Sequence, residues 1–94
     1  MNFLEYSLGY RDAGAVAVVT LEGVESDVFL VDDINLQAYK TGGRVEYFGG
    51  HYKQSPVRLV VPRAGYWHAV VTPGLGGSVR AGVVVVEPRA GIRT

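Results

Sequence analysis

The side chains best suited to binding chemistry in this sequence are tyrosine rings mixed with cationic groups between residues 44 and 68. Six of them are candidates to face one ligand: Tyr47, His51, Tyr52, Arg58, Tyr66 and His68. Aromatic rings stack on planar ligands and cations form charge-assisted hydrogen bonds, so the mixture is typical of nucleotide recognition. We expect a small anionic or nucleotide-like ligand here. The simpler interpretation is that the rings belong to a core and its rim, with the cations in solvent.

A nucleic-acid polymer is a poor candidate partner, because domains that bind one are usually strongly basic. The chain has nine basic and nine acidic side chains and a pI of about 6.7. The two halves of the chain differ in charge. Residues 1–50 carry eight acidic and three basic side chains, whereas residues 51–94 carry one acidic and six basic side chains. Such asymmetry indicates a charged partner or a fold that interleaves the two halves, and we favour the second.

Catalytic and metal chemistry have little support in the sequence. The histidines are His51 and His68, and no G-x-S-x-G elbow accompanies them. A hydrolase that uses His68 is therefore the weakest hypothesis, and we expect no enzyme and no catalytic residue. The histidines lack metal-ligand spacing, the chain has no cysteine, and helix capping or strand ends explain Asp27, Asp32 and Asp33. We predict neither a metal site nor a cofactor.

Seven segments have the β-branched, alternating pattern of strands. They are residues 3–8, 15–21, 27–32, 44–48, 56–61, 66–72 and 79–87. Turns rich in glycine and proline separate them, and we interpret Gly49-Gly50 as one such turn or as a bulge. Short strands joined in this way predict an all-β fold, an antiparallel two-layer β-sandwich of about seven strands.

One short stretch after the third strand breaks this pattern and predicts a helix. Asp32 or Asp33 can cap its first backbone N–H groups, and Gly42 supplies a left-handed stop. We predict one or two helical turns, with Ile34 and Tyr39 packed inward.

The length of 94 residues suits one domain with one core. We predict the sandwich over residues 1–87 and a flexible tail over residues 88–94. The N-terminus has no basic and apolar leader, and apolar runs such as Val83–Val86 fall far short of the ~20 residues of a membrane helix. We therefore expect a cytoplasmic protein with no membrane partner.

Several predicted strands are apolar on both faces. Val16, Val18, Val84 and Val86 fall where a two-layer sandwich exposes side chains to water. Either the short helix covers them or a second copy of the chain does. We expect a homo-oligomer, and a protein–protein assembly role is an alternative function.

The chain also carries ordered motifs that together extend to about Val86: Met1–Gly9, Val31-Asp32 with Asn35-Leu36 and Tyr39, Tyr47–Gly50, Ser55–Leu59 and Gly65–Val71. In this combination it resembles a small bacterial family known only as a domain of unknown function, number eighteen eighty-three in that series. The resemblance implies a compact β-rich domain that in some members lies beside a TIR domain, the kind used in NAD-consuming bacterial immune signalling. It implies a defence or nucleotide-signal context and no catalytic residue. Eight residues follow Val86, so we expect no TIR domain here.

A looser similarity concerns one turn. Residues 62–67, PRAGYW, are similar to the strand–turn–strand of β-sandwich accessory modules that bind sugars or proteins. The sequence as a whole favours a non-catalytic binding module that senses a small ligand. Homo-oligomeric assembly and carbohydrate binding are the alternatives.

Overall fold

The computed structural model of the chain describes residues 3–88, so all of the predicted tail except Pro88 lies outside the described residues. The elements are β1 (Leu4–Arg11), β2 (Val16–Gly23), β3 (Ser26–Asp32), α1 (Asp33–Thr41), β4 (Phe48–Tyr52), β5 (Val57–Val60), β6 (Gly65–Pro73) and β7 (Val79–Val86). The strands pair antiparallel in a larger sheet, β1-β6-β3-β4, and a smaller sheet, β5-β2-β7. The predicted all-β architecture of two sheets and one short helix is confirmed. No helix within residues 3–88 is long and apolar enough to cross a membrane.

The core lies between the two sheets and follows from alternation along each strand. Val19 on β2, Leu30 on β3 and Trp67 on β6 are almost completely buried there. The inward positions predicted for β5 are confirmed, because Val57 and Leu59 are buried. Each such side chain stabilises the fold by roughly 1.5–3 kcal/mol relative to exposure.

Helix α1 begins and ends where the sequence predicts. Asp32 is the N-cap, and its Oδ1 accepts a hydrogen bond from the Asn35 backbone N–H at 2.9 Å. Burial raises the pKa of Asp32, but hydrogen bonds from Asn35 and Arg63 outweigh it and lower the pKa overall. Gly42 ends the helix in the left-handed conformation at φ 80°. The nine-residue helix is slightly longer than the predicted one or two turns.

The helix packs on the outer face of the larger sheet, against β3 and β6. Leu36 and Tyr39 make a second apolar cluster with Phe29 and Val70 of those strands. The prediction that Ile34 packs inward is wrong, since this side chain is 79% exposed. Residues advance by about 100° around a helix, so Ile34 lies about 200° from Leu36 and faces solvent.

The fourth strand is displaced from its predicted position. The sequence predicts a strand over residues 44–48, but β4 covers Phe48–Tyr52, and the glycine pair lies inside the strand instead of in a turn. A Cβ atom at Gly49 would overlap the Val28 carbonyl oxygen and lie 2.6 Å from the Phe29 Cα atom. Glycine therefore permits the close approach of β4 to β3, which alternation alone does not reveal.

The outer face of the smaller sheet carries a valine face made of Val16, Val18, Val60, Val84 and Val86. Val60, Val84 and Val86 are 57%, 62% and 55% exposed. The five residues are neighbours in cross-strand register. Coverage of this face by the helix, one of the two predicted explanations, is wrong because α1 packs on the other sheet. Coverage by a second copy stays a prediction.

The acidic first half and the basic second half meet in space, as the favoured interpretation of their charges predicts. Arg63 donates from Nη2 to Oδ2 of Asp32 at 2.6 Å. Arg80 on β7 lies 3.6 Å from Glu22 on the neighbouring strand β2. The opposite charges of the halves therefore compensate each other within the sandwich.

Candidate functional site

A cleft of about 420 Å³ opens on the outer face of the larger sheet, between the end of α1, the segment 43–47 and strands β3 and β4. We call it the aromatic cleft. Its lining consists of three aromatic rings, a valine, a glycine and two polar side chains: Phe29, Tyr39, Tyr47, Val45, Gly50, Asp27 and His51. The volume falls within the roughly 300–1,000 Å³ typical of small-molecule sites.

The rings of the aromatic cleft have a defined arrangement. Phe29 is buried on β3 and forms the floor, with its ring centroid 5.3 Å from the centroids of both Tyr39 and Tyr47. Tyr39 is fixed in place, because its hydroxyl oxygen lies 3.1 Å from Oγ1 of Thr72. Tyr47 is more than half exposed. The two tyrosines thus flank a buried ring, one held by the protein and one open to solvent.

The segment 43–47 owes its position to the start of the helix. The Glu46 backbone N–H donates to Oδ1 of Asn35 at 2.8 Å. Val45 and Tyr47, on either side of Glu46, both line the aromatic cleft. One amide side chain in the first turn of α1 therefore anchors the segment that forms this wall.

His51 lies at the margin of the aromatic cleft between two carboxylates. Its Nδ1 is 2.8 Å from Oδ1 of Asp27, and its Nε2 is 2.7 Å from Oε1 of Glu25. Ionised carboxylates can only accept hydrogen bonds, so both contacts form together when both ring nitrogens carry protons. The hydrogen bond with Glu25, followed by that with Asp27, raises the pKa of His51 above its usual value. The hydrogen bond between His51 and Glu25 also lowers the pKa of Glu25.

We expect the ring of His51 to titrate above about 6.5, the ordinary value for histidine. Because the pKa of His51 is raised in the folded state, its contacts with the two carboxylates stabilise the fold fully at a pH below the pKa of histidine in the unfolded chain. This stabilisation is lost as the pH rises through the folded pKa. An NMR titration of the imidazole resonances measures this pKa directly.

The two carboxylates supply matched controls for that titration. Glu25→Gln should lower the pKa of His51 more than Asp27→Asn, because the hydrogen bond with Glu25 is the largest cause of the increase. A His51 pKa at or below about 6.5 in the wild type would contradict the assignment.

The structure brings two of the six predicted ligand-binding residues together and separates the others from them. Tyr47 and His51 both line the aromatic cleft. Tyr52 follows His51 on β4 and so points to the opposite face, where it packs against the core. Arg58 is exposed on β5, which belongs to the other sheet. Neighbours in sequence diverge here because the chain crosses between layers after β4.

The remaining two residues lie on β6, away from the aromatic cleft. Tyr66 packs edge-on against Tyr10, with ring centroids 5.3 Å apart. The Nδ1 and Nε2 atoms of His68 lie 2.9 Å from Oε2 of Glu5 and 2.5 Å from Oδ1 of Asp33. His68 is thus a partly exposed strand histidine with each ring nitrogen at hydrogen-bonding distance from a carboxylate.

Sequence reasoning did not assign Phe29, Val45 or Asp27 to a ligand site. Asp27 and Phe29 share one face of β3 by alternation, which is a readable signal. The missing information was the location of the helix, which turns that face into a cleft. Within residues 3–88, no group of three or more histidine and carboxylate side chains is placed to hold a metal ion.

Comparison with known protein families gives a match over almost the whole chain. The profile of a family described as "Domain of unknown function (DUF1883)" matches residues 1–89. No curated protein and no solved structure matches the chain significantly. The geometry of the site is therefore the basis for any functional argument.

Proposed function

This chain belongs to the family described as Domain of unknown function (DUF1883), and we propose that it is a non-catalytic module that binds a small organic ligand in the aromatic cleft. The observation that carries the proposal is the convergence of Phe29, Tyr39 and Tyr47 on one cleft of about 420 Å³. Asp27 and His51 add polar groups at its margin. Apolar lining with a few polar groups binds a ligand by area and orients it by hydrogen bonds.

The anionic ligand expected from the sequence has less support than small-ligand binding in general. It depended on Arg58 and His68 lying near Tyr47, and they lie elsewhere in the fold. The aromatic cleft carries the Asp27 carboxylate, and both ring nitrogens of His51 already contact carboxylates. The proposal therefore retains a small ligand and does not require a negative charge on it.

A thermal-shift screen with nucleotides, sugars and organic amines tests the proposal. A ligand at about ten times its Kd stabilises a protein by about 1.4 kcal/mol. For a domain of this size, that corresponds to an increase in Tm of roughly 5–10 °C. At least one class should raise the Tm of the wild type.

Tyr47→Ala and Tyr66→Ala form a matched pair for this screen, because the two tyrosines are 55% and 59% exposed and only the first lines the aromatic cleft. The stabilisation should persist in Tyr66→Ala and disappear in Tyr47→Ala. Absence of stabilisation by every class, or its survival in Tyr47→Ala, would overturn the proposal. The sugar arm also tests the carbohydrate alternative.

Self-association is a second candidate function, and the valine face favours it. A second copy is the occupant that we propose, because the five valines of one face can pack against those of an identical face while Arg58, which is in register with Val18, lies at the edge of the contact. The whole outer face of this sheet, with strands of up to eight residues, measures about 14 × 27 Å, or roughly 400 Å², and the valine face is a part of it. A stable interface needs about 800 Å² on each partner, so we expect a weak, concentration-dependent dimer.

Light scattering over a series of protein concentrations measures this self-association. Val84→Glu should abolish the increase in mass with concentration, because it places a charge on the valine face directly beside Val18 of the central strand. Ile34→Glu is the control, since Ile34 is also highly exposed but lies on α1. A wild-type monomer at millimolar concentration would refute the dimer.

The family membership extends the proposal to the biological setting. We propose that the module works in the bacterial cytoplasm in a defence context, because the family it resembles includes members that carry the module beside a TIR domain. Deleting its gene in the native host should increase the number of plaques formed by phage. An unchanged number across a panel of phages would contradict this setting.

A further inference from the structure

The rings of the aromatic cleft provide an electron-rich surface on more than one side of the same space. The Phe29 floor and the two flanking tyrosines, Tyr39 and Tyr47, have ring planes inclined by 72° and 55° to that of Phe29. Rings inclined in this way cannot all stack on one flat ligand. They can each present a face or an edge to a rounded group, and aromatic faces carry negative partial charge.

The group formed by His51 and its two carboxylate partners is also negative in excess, with Lys53 acting electrostatically on Glu25. Asp27 lines the cleft and Glu25 stands on the other side of His51, so one imidazole faces two carboxylates. The described residues that line the cleft include no lysine and no arginine. An anionic ligand would meet the Asp27 carboxylate, and the His51 ring beside it is already engaged by two carboxylates. A cation would be attracted by the one negative charge that this group carries in excess.

From these two features we propose that the ligand of the aromatic cleft is an organic cation of the quaternary-ammonium class, held against Tyr39 and Tyr47 beside Asp27. This inference rests on the proposed function and specifies the class of ligand. A quaternary group is preferred to a primary ammonium because its methyl groups spread the charge and fill the space between inclined rings. It also has no N–H donors that would need several acceptors, and Asp27 is the one carboxylate in the lining.

Choline and its neutral isostere 3,3-dimethylbutan-1-ol test the charge separately from the shape. The two molecules have the same branched head, with nitrogen in one replaced by carbon in the other. An NMR titration of the isotope-labelled chain should show choline binding about ten-fold more tightly than the isostere. The resonances that move should include those of Tyr47, Gly50 and His51.

Variants on exposed positions keep the test independent of folding. Tyr47→Phe retains the ring and should retain choline affinity, whereas Tyr47→Leu should weaken choline binding several-fold more than binding of the isostere. Asp27→Asn removes a charge at nearly constant shape and should also weaken the binding of choline more than the binding of the isostere. Tyr66→Leu, outside the aromatic cleft, should change neither affinity.

The outcomes separate this inference from the proposed function. Equal affinities for choline and the isostere would overturn the cation class and leave the cleft as a binding site. Failure of both molecules to bind would also overturn the cation class, and the ligand screen described above would then decide the proposed function. Choline binding that survives Tyr47→Leu unchanged would overturn the assignment of the site.

Discussion

Replacing Gly49 by alanine is expected to detach β4 from the larger sheet and to destroy the aromatic cleft. The new Cβ atom would overlap the Val28 carbonyl oxygen and lie 2.6 Å from the Phe29 Cα atom. These are backbone atoms, which cannot rotate away as a side chain would. We expect the free energy of unfolding to fall by about 3 kcal/mol or more, at the upper end of the cost of overpacking. Ligand-induced stabilisation should also disappear, because Phe29 is the floor of the cleft.

Gly50→Ala is the matched control for this substitution. At Gly50 the nearest atom to an added Cβ is the Tyr52 hydroxyl oxygen, 3.9 Å away, which is an ordinary van der Waals distance. Urea unfolding should therefore show a change of less than about 1 kcal/mol for Gly50→Ala. Amide hydrogen exchange should show lost protection in β4 for Gly49→Ala. Equal stabilities of the two variants would contradict the close approach of β4 to β3.

Trp67→Ala is expected to remove a large part of the stability of the domain. The indole is 1% exposed, packs against Phe48 with ring centroids 5.9 Å apart, and donates its Nε1–H to the Arg63 carbonyl oxygen at 2.9 Å. Truncating a buried tryptophan costs about 3–5 kcal/mol through lost burial and the cavity left behind. That loss is a large part of the total free energy of unfolding of a typical domain, which is about 5–15 kcal/mol.

Chemical and thermal unfolding followed by circular dichroism measure this loss. Tyr66→Ala, the preceding residue, is the control, because its exposed side chain points to the opposite face of β6. It should change the free energy of unfolding by less than about 1 kcal/mol. If Trp67→Ala proves as stable as Tyr66→Ala, the indole is not the centre of the core.

Much of the sandwich is readable from alternation and turn chemistry. The strand β5 illustrates this, because Val57 and Leu59 alternate with Arg58 and the pattern predicts which side is buried. The ends of α1 are readable as well, since a capping aspartate and a left-handed glycine are local requirements of the backbone. Such features depend on a few consecutive residues, and the sequence contains that information completely.

The candidate site was only partly predictable for the opposite reason. Tyr47 and His51 both line the aromatic cleft, whereas Arg58, which the sequence places near them, lies on the other sheet. The displacement of β4 had the same origin, because a glycine pair is equally consistent with a turn and with a close approach of two strands. Distinguishing the two requires knowledge of Val28 and Phe29 on the facing strand.

The mixture of cations and aromatic rings between residues 44 and 68 shows what each level of information decides. The sequence by itself determined the all-β class, the helix ends, the inward positions of β5 and the mixture of aromatic and polar side chains between residues 44 and 68. The tertiary structure alone decided which of those side chains share a cleft and what charge surrounds them. The physical reason is that alternation and capping are local, whereas a site is formed by contacts between strands that the chain order does not place side by side.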